Sequence, residues 1–265
     1  MYSAPRILFA YLNYWFRASS GKGHGIHSPF VYSFIRDVLM DRRTHPSWAS
    51  VEAARKKLKA DKRLLQVDDF GAGSVSGASR LRRVSSIARL AAKAPRYSRL
   101  LFRMVAFYKP AVVLELGTSL GLTTSYLSLA NPAAKVFTME GAKEVAAVAR
   151  EQFQSLALQN IRLIEGNFDQ TLPVFLKEQG VINFAFIDGN HQRDPTLSYF
   201  EQLLPHAGND SVFIFDDIHW SEEMEQSWAA IRQHPAVRCS IDLFFIGIVF
   251  FHKEFQEKQN FCIRY

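Results

Sequence analysis

The sequence predicts a doubly wound α/β fold: a seven-stranded sheet, five parallel strands ending in an antiparallel hairpin, preceded by an N-terminal helical extension. Three observations carry the prediction. After residue 110, short apolar runs alternate with helical patterns, the order that builds a parallel sheet covered on both faces. The last two apolar runs, residues 237–243 and 245–251, are too close for a crossover helix and must pair antiparallel. The run Val112-Val113-Leu114-Glu115-Leu116 passes through Gly117 and Gly121 into a helical stretch, a sharp strand-to-helix turn of the kind that binds cofactors at the carboxyl edge of such sheets.

The elements follow in order. Residues 5–18 are an aromatic-rich amphipathic stretch, and Ser19-Ser20-Gly21-Lys22-Gly23-His24-Gly25 is a break. Residues 29–40, 47–60, 81–92 and 96–108 read as helices, the last stopped by Pro110. This divides the chain into a helical extension, 1–109, serving as lid, interface or substrate cap, and a sheet domain, 110–265. Strands are expected at 112–116, 136–140, 161–165, 182–188 and 211–216, with helices at 122–130, 143–158, 170–179, 195–204 and 222–233. Residues 260–265 leave room for a short edge strand. For the first stretch, with Tyr11, Tyr14, Trp15 and Phe16, packing on the sheet domain or on a second subunit, giving a homodimer through the N-terminal helices, is favoured over an interfacial membrane helix.

Composition narrows the class. With 265 residues, 48% of them apolar, the chain can bury one core of this size plus the extension. No apolar run reaches the roughly 18 residues of a membrane span, and no signal peptide opens the chain. Cys239 and Cys262 lie in apolar, strand-like segments without metal spacing, so free thiols in a reducing cytoplasm are expected. Much of the net charge of +7 falls before residue 110, in clusters at 36–43, 55–59 and 80–83 on expected helices. Solvated helix faces account for such clusters most simply; a patch for nucleic acid or an acidic membrane stays open, although no recognised nucleic-acid module accompanies it.

Glu115 sits where a nucleotide phosphate would be repelled and a cationic or polyhydroxylated ligand held, and Glu140 ends the next strand 25 residues on, where a carboxylate can hold a ribose diol. The plain alternatives are a helix-start acid and a solvated strand end. The pattern resembles motif I and the following acid of the class I S-adenosylmethionine-dependent methyltransferases, over roughly residues 110–251. That resemblance implies a Rossmann-like fold with S-adenosylmethionine as cofactor. Glu115, Gly117, Thr118, Ser119, Gly121 and Thr123 would surround its amino-acid half and Glu140 its ribose; Asn167 and Phe168 would flank its adenine, and Asp188 would belong to the same site. A second glycine-rich segment, Asp68-Asp69-Phe70-Gly71-Ala72-Gly73, lacks a following strand that ends in an acid and reads as a loop, at most a lid over the cofactor.

The chemistry is expected at the carboxyl ends of the fourth and fifth strands. Asp188 and His191 follow one; Asp216, Asp217 and His219 follow the other, and neighbouring loops would bring Asp188, His191, Asp216 and Asp217 together. Three carboxylates in one crevice repel unless a cation or shared protons relieve them. Here the resemblance extends to the catechol and caffeoyl-coenzyme A type of small-molecule O-methyltransferases. Asp188, Asp216 and Asp217 fall on the metal positions of that group, which implies Mg²⁺, and His191 falls on its base position. Asp217 replaces the group's Asn and His191 its usual Lys. The resemblance implies O-methylation of a small hydroxylated acceptor, with Asp188, His191 and Asp216 as catalytic residues. As structural alternatives, Asp188 would cap its loop and Asp216 and Asp217 the helix near Ser221. His219, beside Trp220, reads as a packed side chain, and His24, His27 and His45 as structural or lid contacts. Two other functions stay open: a macromolecule methyltransferase docking through the basic N-terminal half, and a non-catalytic binding protein on the same fold.

Overall fold

The computed structural model describes residues 1–67 and 80–265. In chain order it contains α1 (Ala4–Arg17), α2 (Pro29–Phe34) continuing into a π-helical turn (Ile35–Leu39), α3 (Ser47–Ala60), β1 (Leu64–Val67), β2 (Arg80–Arg83), α4 (Val84–Leu90) and α5 (Pro95–Tyr108). Then come β3 (Val112–Leu116), α6 (Leu122–Ala130), β4 (Lys135–Glu140), α7 (Lys143–Ser155), β5 (Ile161–Glu165), α8 (Phe168–Lys177), β6 (Ile182–Ile187) and α9 (Arg193–Leu203). The chain closes with β7 (Ala207–Asp216), α10 (Glu222–Gln233), β8 (Cys239–Asp242), β9 (Ile246–Phe250) and β10 (Gln259–Cys262). No helix among the described residues is long and apolar enough to cross a membrane.

Two compact units form, one of residues 42–177 and one of 1–41 with 178–265. The division differs from a boundary at residue 110, and packing explains why. Trp48, Val51 and Leu58 of α3, Ile87 of α4 and Phe102 of α5 share one apolar cluster with Leu122 and Tyr126 of α6 and Val145 and Val148 of α7. These helices of the extension thus share a core with the first strand-helix repeats.

In the unit of residues 42–177, β3, β4 and β5 pair in parallel, with Leu116 opposite Met139 and Glu140 opposite Glu165. Four of the five β3 residues are buried, as a strand covered on both faces requires. Residues 80–83 correct the expected helix start. They form β2, antiparallel to β1, with Leu65 opposite Arg82, and the helix begins only at Val84. The glycine-rich segment with Asp69, Gly71 and Gly73 lies outside the described residues.

The other unit orders its strands β10-β8-β9-β7-β6. β6 and β7 are parallel, while β9 runs antiparallel to both β7 and β8, so the closing hairpin is present. β10 adds itself to β8 in parallel, so that, apart from the β1–β2 pair, the described residues contribute three strands from one unit and five from the other, eight rather than seven in all. The architecture is a mostly parallel sheet with an antiparallel hairpin and an N-terminal helix. α1 lays Ile7, Ala10, Tyr11, Tyr14 and Ala18 against Phe244, Phe245 and Cys262. The Tyr14 hydroxyl donates to the Ile263 carbonyl and accepts the Tyr265 amide at 3.2 Å.

Candidate active site

The turn after β3 is shaped by positive φ at Gly117 (106°), Ser119 (48°) and Gly121 (76°). A Cβ at Gly121 would lie 2.6 Å from Cε1 of Phe153, so glycine is required there on both conformational and packing grounds. The Gly117 and Thr118 amides both donate to the Met139 carbonyl at 3.0 Å, which ties the turn to the end of β4. Glu140, the last residue of β4, accepts the Ser119 amide on Oε2 at 2.8 Å and the Ala142 amide on Oε1 at 3.0 Å. Burial raises its pKa, and these backbone donors oppose the rise. The Glu140 carbonyl in turn accepts the Gly166 amide at 2.9 Å. The loops after β3, β4 and β5 are thereby linked around one carboxylate.

Asn167 starts α8: its side-chain oxygen accepts the Asp169 amide at 2.9 Å, and its carbonyl accepts the Gln170 and Thr171 amides. That fixes Phe168 at the head of the helix, on the same edge as Glu140.

Glu115 is fully buried. Its Oε2 accepts the Thr138 hydroxyl at 2.6 Å and the Thr124 hydroxyl, and Thr138 Oγ1 lies 2.6 Å from Thr118 Oγ1. Oε1 has no hydrogen-bond partner. Burial pushes the carboxyl up to about 7, against the two threonine hydrogen bonds and with a further upward push from the nearby Glu140 charge. Glu115 therefore ties β3, β4 and α6 together from inside, with Thr118 and Thr123 as its nearly buried neighbours in the turn. The sequence carried no signal for Thr124 or Thr138 as its partners, since threonine is ordinary in a helix start and a strand.

In the other unit, parallel pairing sets Ile187 opposite Phe215, so Asp188 and Asp216 follow at the same level on the carboxyl edge. His191 Nε2 lies 3.6 Å from Asp188 Oδ1, and both side chains are partly exposed. Asp216 is only 1% exposed. Asp217 leaves the strand at φ 51°, its amide donating to the Phe245 carbonyl at 2.7 Å and its carbonyl accepting the Trp220 amide at 2.9 Å. The two adjacent acids are split, one buried and one in a turn. Neither caps α10, whose first turn is capped by the Ser221 hydroxyl accepting the Met224 amide at 3.2 Å. Among the described residues, no three His, Cys, Asp or Glu side chains are grouped so as to hold a metal ion.

His219 is a packed side chain. It lies between Glu225 Oε1 at 3.2 Å and Asp242 Oδ2 at 2.9 Å and stacks on Phe244. Burial disfavours the imidazolium, but the hydrogen bonds and charges of Asp242 and Glu225 outweigh it and hold the pKa above the usual value. Trp228 Nε1 donates to the same Asp242 oxygen at 3.0 Å. His45 pairs locally with Ser47 at 2.7 Å.

Residues 114–218 match the model of a family described as a methyltransferase domain. Solved structures share the fold over most of their length. The S-adenosylhomocysteine-bound methyltransferase PaMTH1 of Podospora anserina is 12% identical, with 86% of this chain and 97% of that chain covered and a TM-score of 0.60. An O-methyltransferase from Bacillus cereus in complex with S-adenosylhomocysteine is 18% identical, with 83% and 97% covered and a TM-score of 0.55. The O-methyltransferase TomG from Streptomyces achromogenes, in complex with S-adenosylmethionine, is 12% identical, with 82% and 96% covered and a TM-score of 0.56. No curated protein matches the sequence. The fold is that of the class I, S-adenosylmethionine-dependent methyltransferases. Residues 114–218 thus resemble a methyltransferase domain, set in a chain with that fold.

Proposed function

We propose that this chain is a methyltransferase that binds S-adenosylmethionine in the loops after β3, β4 and β5 and methylates an oxygen of a small hydroxylated acceptor. The observation that carries the reading is the Glu140 carboxylate, held at the carboxyl edge by the Ser119, Gly141 and Ala142 amides, where it would accept from a ribose diol. Gly117, Thr118, Ser119, Gly121 and Thr123 form the turn that would take the amino-acid half, above the buried Glu115; Asn167 and Phe168, at the head of α8, would flank the adenine. When bound, the cofactor supplies an electrophilic methyl carbon on a sulfonium.

The rest is positioning and proton handling by this chain. Methyl transfer is an in-line displacement, so rigid alignment of the acceptor oxygen supplies most of the acceleration. The methyl carbon leaves sulfur with its bond to oxygen forming, and the acceptor's hydroxyl proton needs a base. His191, with Asp188 at 3.6 Å to hold its ring and stabilise the imidazolium, is that base, and the buried Asp216 follows at the same level of the strand ends as Asp188. A Mg²⁺ held by Asp188, Asp216 and Asp217 does not fit this arrangement, with Asp216 buried and Asp217 in a left-handed turn, and no step is routed through it.

The test is methyl transfer to catechols and simple phenols, with and without chelator, across pH. In the wild type kcat/KM should rise with pH as the imidazole loses its proton. His191→Gln should flatten that limb and lower kcat by roughly 10²–10⁴-fold. A His191→Gln profile equal to the wild type would remove His191 from the chemistry, and activity lost in chelator would restore a metal.

A further inference from the structure

Helix α1 is apolar on more than the side it packs. At about 100° per residue, Tyr14, Ile7, Ala18 and Tyr11 make one stripe, the one seated on Phe244 and Phe245. Trp15, Leu8, Leu12, Phe16 and Phe9 make a second, adjoining stripe about 120° wide, exposed at 42, 59, 45, 79 and 74%. Asn13, Arg6 and Arg17 follow along its far edge, and α1 contains no acidic residue. Arg264 lies at the opposite edge of the stripe, its guanidinium 5.2 Å from the Trp15 ring centre.

Five large apolar side chains on one short helix exceed the scattered exposure of an ordinary surface. A cavity of about 480 Å³ opens beside them, lined by Met1, Tyr2, Ile7, Leu8, Trp220 and Phe245 among others. Leu8 belongs both to its wall and to the exposed stripe, so the apolar surface continues inward.

We infer that α1 is an interfacial helix that seats this protein on an anionic bilayer. The apolar stripe enters the acyl boundary, while Arg6 and Arg17 lie at its edge, at the depth of the phosphates. Arg6 and Arg17, on a helix free of acids in a chain of net charge +7, complement anionic headgroups, with Glu222 and Glu225 of α10 the acids nearest, beside Tyr2. The same arginines oppose a second copy of the chain, because pairing α1 with itself would bring them together with no acid on either helix to neutralise them. Seating on a bilayer is independent of the methyl-transfer chemistry.

The experiment is flotation of the full chain with phosphatidylcholine vesicles and with vesicles containing phosphatidylglycerol, alongside sedimentation without lipid. The wild type should float with the anionic vesicles, less at high salt. Phe9→Glu/Phe16→Glu, two exposed positions, should bind at least about tenfold more weakly with an unchanged melting temperature, and Arg6→Gln/Arg17→Gln should lose the preference for anionic lipid. Failure of the wild type to float with either vesicle overturns the inference. So does undiminished binding by Phe9→Glu/Phe16→Glu, or a wild-type dimer that this variant converts to monomer without any vesicle binding.

Discussion

Gly121→Ala should destabilise the protein by about 2–5 kcal/mol. One part is backbone: an L side chain at φ 76° costs about 1–2 kcal/mol. The other is packing, since the new Cβ would meet Cε1 and Cζ of Phe153 at 2.6 and 2.9 Å and the Ala149 Cβ at 3.2 Å. Phe153 is 6% exposed and cannot swing into solvent, so the overpacking adds about 1–3 kcal/mol. Urea unfolding of Gly121→Ala, Phe153→Leu and the double variant separates the two parts. The double variant should be more stable than the sum of the singles implies, with the backbone cost remaining. The turn also carries the Ser119 amide that fixes Glu140, so S-adenosylhomocysteine affinity should fall with Gly121→Ala as well.

Glu115→Gln should remove a pH dependence worth about 3 kcal/mol of stability. The buried carboxyl titrates at about 7 against an ordinary 4.5. Its folded-state pKa is raised, so the wild type has its full stability from this group below about pH 4 and loses it as pH rises to about 7, at roughly 1.4 kcal/mol for each pH unit. Above 7 the loss is complete and constant. A neutral amide has no such dependence and can still accept the Thr124 and Thr138 hydroxyls. Unfolding free energies of the two proteins, measured from pH 4 to 8, should therefore diverge up to about 7 and run parallel above it. Parallel curves throughout would mean that Glu115 titrates normally.

The strands of Glu115 and Glu140 were legible because each is a short, mostly apolar run with a single acid at or next to its end, and the hairpin because its two runs leave no room for a helix. Residues 80–83 were not. Their basic charge reads equally as a helix face, and what makes them a strand is the backbone ladder to Leu64–Val67, a pairing that local pattern does not encode. Adjacency likewise placed Asp216 and Asp217 at one strand end without revealing that one is buried and the other turned by a positive φ. His219 was legible as a packed side chain from its neighbour Trp220, but its partners Glu225 and Asp242 were not, because they arrive from α10 and β8. For the aromatic stretch at the N-terminus the sequence favoured packing over a membrane surface; the structure shows one stripe packed and a second exposed.

Calorimetry of S-adenosylhomocysteine binding to the wild type and to Glu140→Ala tests the cofactor site most directly. The wild type should bind, and Glu140→Ala should bind more weakly by about 1–3 kcal/mol, the loss of charge-assisted hydrogen bonds to a ribose diol. Tight binding of NAD with none of S-adenosylhomocysteine, or equal affinity in both proteins, would contradict a cofactor held at Glu140.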